Sequence, residues 1–264
     1  MHSLLRTAPI PALWALCALA AAPAHAQWQV GAGPGLRHAV HSEYDAAGRR
    51  LVRESGWLPG VAFQAAYTAG ALTWRGGADW YRGDIDYGGH TQAGVPATST
   101  TATTLAAVNA GAAYALAGGV ALLASVEADR WQRDISGTAT AAGLQETYRS
   151  TRLFAGAART WQPAAGRLTA EASLFLSTPE HQRVAFSGHF DPARIEGGRA
   201  RGLRLGLALR PAQAPWLELR TRFDRASTPR SGNVPLTMGG QYRGTITQPE
   251  HTRQALTFEA AAMY

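Results

Sequence analysis

Lysine is missing from the 264 residues, so all 25 basic positions are arginine, against 18 aspartates and glutamates, for a formal charge of +7. Cysteine occurs once, at Cys17, which leaves residues 27–264 with none and excludes a disulfide scaffold there. Long apolar runs are also missing. Beyond the N-terminal region no stretch of 18 consecutive apolar residues occurs, which excludes a membrane-spanning helix in the rest of the chain. Apolar residues are nevertheless abundant, at 46% with alanine and the aromatics included. Their arrangement carries the information.

The first 26 residues read as a signal peptide. Met1–Arg6 is a short basic start, Pro9–Ala22 is apolar, and Ala24-His25-Ala26 is a small-x-small cleavage site before Gln27. Leu16 stands before Cys17 where a lipoprotein signal wants a small residue, so lipidation is not expected. An exported chain is not expected to meet nucleic acid. Its basic charge points instead to anionic lipopolysaccharide.

From Gln27 onward the pattern has period two. In the closing stretch, Leu256, Phe258, Ala260, Ala262 and Tyr264 share one phase, with Thr257, Glu259 and Ala261 on the other. Leu168, Ala170, Ala172, Leu174 and Leu176 oppose Thr169, Glu171 and Ser173. Leu203, Leu205, Leu207 and Leu209 oppose Arg204, Gly206, Ala208 and Arg210. Similar segments are expected over Trp28–His41, from Trp57 to Tyr67, over Ala71–Tyr81, from Ala106 to Tyr114, from Leu122 to Asp129, over Thr147–Trp161 and from Leu217 to Asp224. Short turns at Thr68-Ala69-Gly70, Ala117-Gly118-Gly119, Pro163–Gly166 and Ala212–Pro215 alternate with longer polar loops. The result is about ten strands in one domain, 27–264: an all-β fold, read as a closed antiparallel transmembrane β-barrel with short periplasmic turns and longer extracellular loops. A soluble sandwich would show the same alternation, and the leader and loop asymmetry favour the barrel. Trp28, Trp74, Trp161, Trp216 and Tyr264 gather at the short-turn ends, as an interfacial girdle should.

A chain ending on an aromatic inside such a strand resembles the terminal strand of Gram-negative outer-membrane barrels. That resemblance implies the cell outer membrane, surrounding lipid and lipopolysaccharide, a monomer, and recognition of the last strand by the barrel-assembly machinery. The ten-strand count is similar to that of omptins, outer-membrane proteases with an Asp-x-Asp and an Asp-x-His pair at the outer mouth. Asp84-Ile85-Asp86 and His189-Phe190-Asp191 stand in roughly corresponding places, although the second pair is reversed and the phase of strand three turns Asp84 and Asp86 away from the lumen.

The inward phase carries charges of both signs, among them Arg75, Asp79, Glu127, Asp129, Glu171, Arg204, Arg210, Glu218, Arg220, Arg222, Asp224 and Glu259. Pairing across the lumen is expected, since an isolated buried charge is costly. Two stretches echo each other, Pro179-Glu180-His181-Gln182-Arg183 and Pro249-Glu250-His251-Thr252-Arg253. Their phases turn His181, Arg183, His251 and Arg253 inward near Asp79, Glu127, Asp129 and Asp224, a constellation suited to acid–base chemistry or metal binding. His38 with Ser42, or His181 with Ser177, are the candidate Ser–His pairs for lipid chemistry. Tyr81, Trp131 and Tyr148 fall at the height of an outer girdle. No cofactor and no metal is expected. The favoured function is non-catalytic (structural, surface-interaction or narrow-pore, porin-like) through loops Gly88–Thr103, Phe186–Gly198 and Ser227–Thr245. The alternative is a hydrolase at the mouth, either an omptin-like protease or a lipid-modifying enzyme.

Overall fold

A computed structural model describes residues 27–90, 95–138, 143–188 and 190–264. The signal-peptide reading of residues 1–26 lies outside them, as does His189. Among the described residues there are twelve strands: β1 Gln27–Tyr44, β2 Arg50–Ala69, β3 Leu72–His90, β4 Pro96–Ala115, β5 Val120–Ile135, β6 Leu144–Trp161, β7 Gly166–Phe186, β8 Ala193–Pro211, β9 Leu217–Thr228, β10 Val234–Met238, β11 Gln241–Ile246 and β12 Glu250–Met263. Ten close into one antiparallel barrel in the order β1-β12-β9-β8-β7-β6-β5-β4-β3-β2. Closure leaves no unpaired edge, which is the condition for crossing lipid with strands. The expected Ser227–Thr245 loop is an elaboration of its own, because β10 and β11 form a separate hairpin above the barrel.

The alternation read from the sequence has its cause in this closure. Successive side chains point to opposite faces of a strand. On the outer wall Trp80, Val108, Val126, Leu153, Leu174, Leu205, Leu207 and Phe258 are exposed, Leu174 by 70%. On the inner wall Asp79, Glu127, Glu218, Asp224 and Glu259 are buried. A dry apolar centre, the mark of the sandwich, is not what these faces build. The tight turn after β2 closes on Gly70 at φ 60°, a left-handed conformation that a side chain disfavours. Inside, Tyr81 is fully buried against the wall. A Cβ added at Gly35 would stand 2.7 Å from its hydroxyl, so glycine at 35 makes the space.

The strands are longer than the alternation suggested. β2, β4 and β7 have 20, 20 and 21 residues, whereas about 9–11 tilted residues cross a bilayer. Above the apolar band the outer wall becomes polar, with Arg82, Asp84 and Asp86 on β3 and Arg130, Gln132 and Asp134 on β5 all exposed.

One phase is corrected. β7 carries a register shift against both neighbours, between Leu176 and His181 toward β8 and opposite Arg149–Arg152 toward β6. Pro179, which has no N–H for the ladder, sits in the shift. The extra residue inverts the strand beyond it, so Glu180 and Gln182 are buried inside and His181 and Arg183 are exposed outside.

The lipid-facing assignment has a direct test. Leu174→Arg should destabilise the folded protein in bilayers by about 2–4 kcal/mol in urea titrations. Thr147→Arg, on the polar upper wall, should change it by less than about 0.5 kcal/mol.

Candidate functional site

Ion pairs fill the interior at three heights, some between neighbouring strands and others across the barrel. Near the short turns, Arg75 meets Glu171 at 2.6 Å and Arg210 meets Glu218 at 2.6 Å. Arg220 meets Glu259 at 2.7 Å, and the Tyr81 hydroxyl donates to Glu259 at 2.7 Å. Gln64 donates to Glu218 at 3.0 Å and accepts from Arg220 at 2.5 Å, tying β2 to β9 across the interior. At mid-height Arg204 bridges Asp224 at 2.6 Å and Glu127 at 2.8 Å. Arg222 meets Asp79 at 3.1 Å, and Arg152 meets Asp129 at 2.9 Å. The guanidinium of Arg204 also lies 4.3 Å from the centre of the Phe154 ring.

The upper layer is the densest. Arg133, on the part of β5 above the apolar band, reaches Glu146 at 2.5 Å, Glu54 at 2.9 Å and Glu43 at 3.2 Å. Thr101 donates to Glu54 at 2.6 Å, and Gln182 donates to the Tyr148 hydroxyl at 2.8 Å. Trp131 and Tyr148 stack with ring centres 4.8 Å apart. These two aromatics and Tyr81 are buried inside the barrel, which corrects their placement in an outer girdle. Beside them His41 pairs with Glu43 at 2.9 Å, and His251 pairs with Glu180 at 3.1 Å. Arg253 binds Glu180 as well. The two echoed stretches therefore do meet across the interior, but through Glu180 of the first rather than His181.

The remaining candidates fall as follows. Asp79, Glu127, Asp129 and Asp224 are each held by at least one arginine, and Asp129 also accepts from Ser150. Asp84 and Asp86 are exposed on the outer wall, as their phase foretold. Ser177 is buried and accepts from the Ala200 N–H at 2.7 Å, on the opposite side of the wall from His181. His38 packs against the outward Trp57 with the rings tilted by 55° and their centres 4.9 Å apart. Neither Ser–His pair is assembled. Asp191 anchors the β10–β11 hairpin, accepting from Gly240 N at 2.9 Å, Thr237 Oγ1 at 2.7 Å and Gly239 N at 3.1 Å. The Gly240 N–H and then the Thr237 hydroxyl hold its carboxyl below the usual carboxylate range. Among the described residues no group of three or more His, Cys, Asp or Glu is placed to hold a metal ion.

Glu43, Glu54, Arg133 and Glu146 were not singled out from the sequence, and Glu180 appeared only as part of an echoed stretch, without a role of its own. A charged residue alternating with polar neighbours carries no phase signal, and only the length of the strands could have revealed them.

No protein-family model matches the chain, and no curated protein matches it by sequence. Solved structures do match by fold. The outer-membrane protease OmpT from Escherichia coli superposes with a TM-score of 0.53 at 8% identity, over 90% of this chain and 96% of that one. The translocator domain of the autotransporter NalP from Neisseria meningitidis gives 0.47 at 11% identity, over 89% and 88%. The β domain of the Bordetella autotransporter BrkA gives 0.40 at 16%, over 89% and 99%. The chain has the fold of a small outer-membrane β-barrel, with ten strands and an omptin-like architecture.

Replacing Arg133 by leucine strips three glutamates of their shared counter-charge. The loss should be about 3–5 kcal/mol in urea titrations of the folded barrel, while His181→Ala, on the outer wall, should stay within about 0.5 kcal/mol.

Proposed function

We propose that this chain is a non-catalytic integral protein of the outer membrane: a barrel closed inside by ion pairs, which works through the surfaces it holds above the bilayer. The observation that carries the reading is the Arg133 cluster, where one guanidinium gathers carboxylates from β1, β2 and β6 across the upper interior. Charges tied to partners on opposite walls resist the passage of solutes, and small barrels fill their interiors with side chains. Catalysis needs a group free to exchange a proton or hold a substrate. The imidazoles of His41 and His251 are both buried and committed to glutamates. Their setting does not support the hydrolase alternative.

The outer wall supports lipopolysaccharide as the surrounding partner. Arg130 on β5 faces Arg149 on β6, and Arg149 faces His181 on β7, directly across adjacent strands. All three are exposed. Like charges placed opposite one another are unfavourable unless an anion lies between them. Below them on the same strands and face come Ala128, Thr151 and Thr178, and then Val126, Leu153 and Leu176 at the top of the apolar band, so the cluster stands just above that band, at headgroup height. Lipid phosphates fit that position. The β10–β11 hairpin, with Tyr242 exposed and Asp191 fixing its tip, is the surface offered to partners outside.

Two measurements test the reading. The folded protein should give no conductance steps in planar bilayers, and regular steps would overturn the closed interior. The double variant Arg130→Ser/Arg149→Ser should retain several-fold less lipopolysaccharide after detergent washing at low salt, with the difference shrinking at high ionic strength.

A further inference from the structure

A cavity of about 70 Å³ lies at mid-barrel, and its lining includes Arg37, Arg152, Arg222, Asp79, Glu127 and Asp224. The carboxylates there are committed. Glu127 is shared by Arg152 and Arg204, Asp224 by Arg204 and Arg222, and Asp79 is held by Arg222. Arg37 stands apart. Among the described residues no carboxylate forms an ion pair with it, and its guanidinium lies beside the Tyr81 ring, 5.8 Å from the centroid.

Strand register shows what surrounds that charge. Arg37 on β1 is directly opposite Thr257 on β12, and Thr257 is directly opposite Arg222 on β9. The three residues form one inward row across adjacent strands. Arg37 Nε, Arg222 Nε and Thr257 Oγ1 are all buried without a hydrogen-bond partner, and Thr257 is 1% exposed. Arg222 Nε lies 3.2 Å from Asp224 Oδ2 but lacks the alignment of a hydrogen bond. Buried polar groups left without partners in a folded protein point to an unseen water or ion. Water can satisfy the donors, but it leaves Arg37, which has no carboxylate of its own, without a counter-charge in a medium of low dielectric, since Asp79 and Asp224 are taken by Arg222 and Arg204. An anion answers both demands. Added negative charge beyond one unit would be opposed by Asp79 and Asp224. A water needs about 10–15 Å³ of such space, so the cavity that Arg37 and Arg222 line, with Thr257 between them on the strand behind, has room for a single halide.

We propose that the row Arg37–Thr257–Arg222 is a binding site for one small monovalent anion of the halide class, chloride in ordinary media. The ion joins β1, β12 and β9, the strands that meet where the first and last segments of the barrel close on each other. Its role is to fasten that seam from inside.

The test uses the mature chain folded in detergent. Thermal unfolding is followed in sodium chloride and in sodium gluconate at equal ionic strength, and crystals are grown in bromide for anomalous diffraction. The expected midpoint is higher in chloride by at least about 2 °C, with a bromide peak between the Arg37 and Arg222 guanidiniums. Arg37→Leu and the near-isosteric Thr257→Val should each remove the chloride dependence. If Arg37→Leu fails to fold, Thr257→Val carries the test alone. Equal midpoints in the two salts, or density for water only at the row in bromide, would overturn the proposal. A chloride dependence that survives Thr257→Val would overturn the assignment to this row.

Discussion

Charge neutralisation inside a closed wall is the constraint on which the rest of the structure depends. Once the outward face of each strand is given to apolar residues, the inward face takes the polar ones, and the interior is too narrow to hydrate them freely. Arginine suits this task because its planar fork reaches two carboxylates at once. Arg204 does so between Asp224 and Glu127, and Arg133 does so among three glutamates. In each case one contact is to the neighbouring strand, Asp224 or Glu146, and the others, to Glu127, Glu54 and Glu43, reach strands well separated around the barrel. Removing one partner therefore leaves a stranded charge and also releases a cross-tie between walls.

Legibility in the sequence followed the same constraint. Between Leu168 and Leu176, or between Leu203 and Leu209, one face met an apolar medium and the other did not, so the alternation was clean and the strands could be read. Above that band both faces are polar. There the contrast disappears although the strand continues. Glu54, Arg133 and Glu146 occupy such stretches, and the densest part of the interior stayed hidden for that reason. Asp79, Glu127, Asp129 and Asp224 could be placed inside because each lies beside an apolar outward neighbour such as Trp80 or Val126. What they touch could not be read, since cross-barrel partners depend on how strands stagger around the circumference.

His181 shows where a pattern argument breaks. The echo between residues 179–183 and 249–253 suggested equivalent imidazoles, and the β7 register shift at Pro179 undid the equivalence by a single residue. On β12 the matching Pro249 precedes the strand, where it shifts nothing, and His251 stays inside. The same dipeptide context thus sends one histidine to the outer wall and the other to the interior. Pro179 sits where β7 changes phase, whereas Pro34 and Pro59, also inside paired strands, leave the alternation of β1 and β2 unbroken, so a proline alone does not predict the shift.

The length of the strands has a consequence for anything that approaches from outside. Where the strands are longest, as in β2, β4 and β7, roughly ten residues beyond the bilayer-crossing portion, at about 3.3 Å each and inclined near 45°, raise that side of the rim on the order of 20 Å above the lipid. By contrast, β9 and β12 have only 12 and 14 residues. The parapet is made of continuous hydrogen-bonded wall rather than flexible linker. Whatever the rim carries, including the hairpin fastened by Asp191, is held at a fixed standoff and in a fixed orientation. A visitor gains nothing by dipping toward the bilayer, and little ordering remains to be done when it docks.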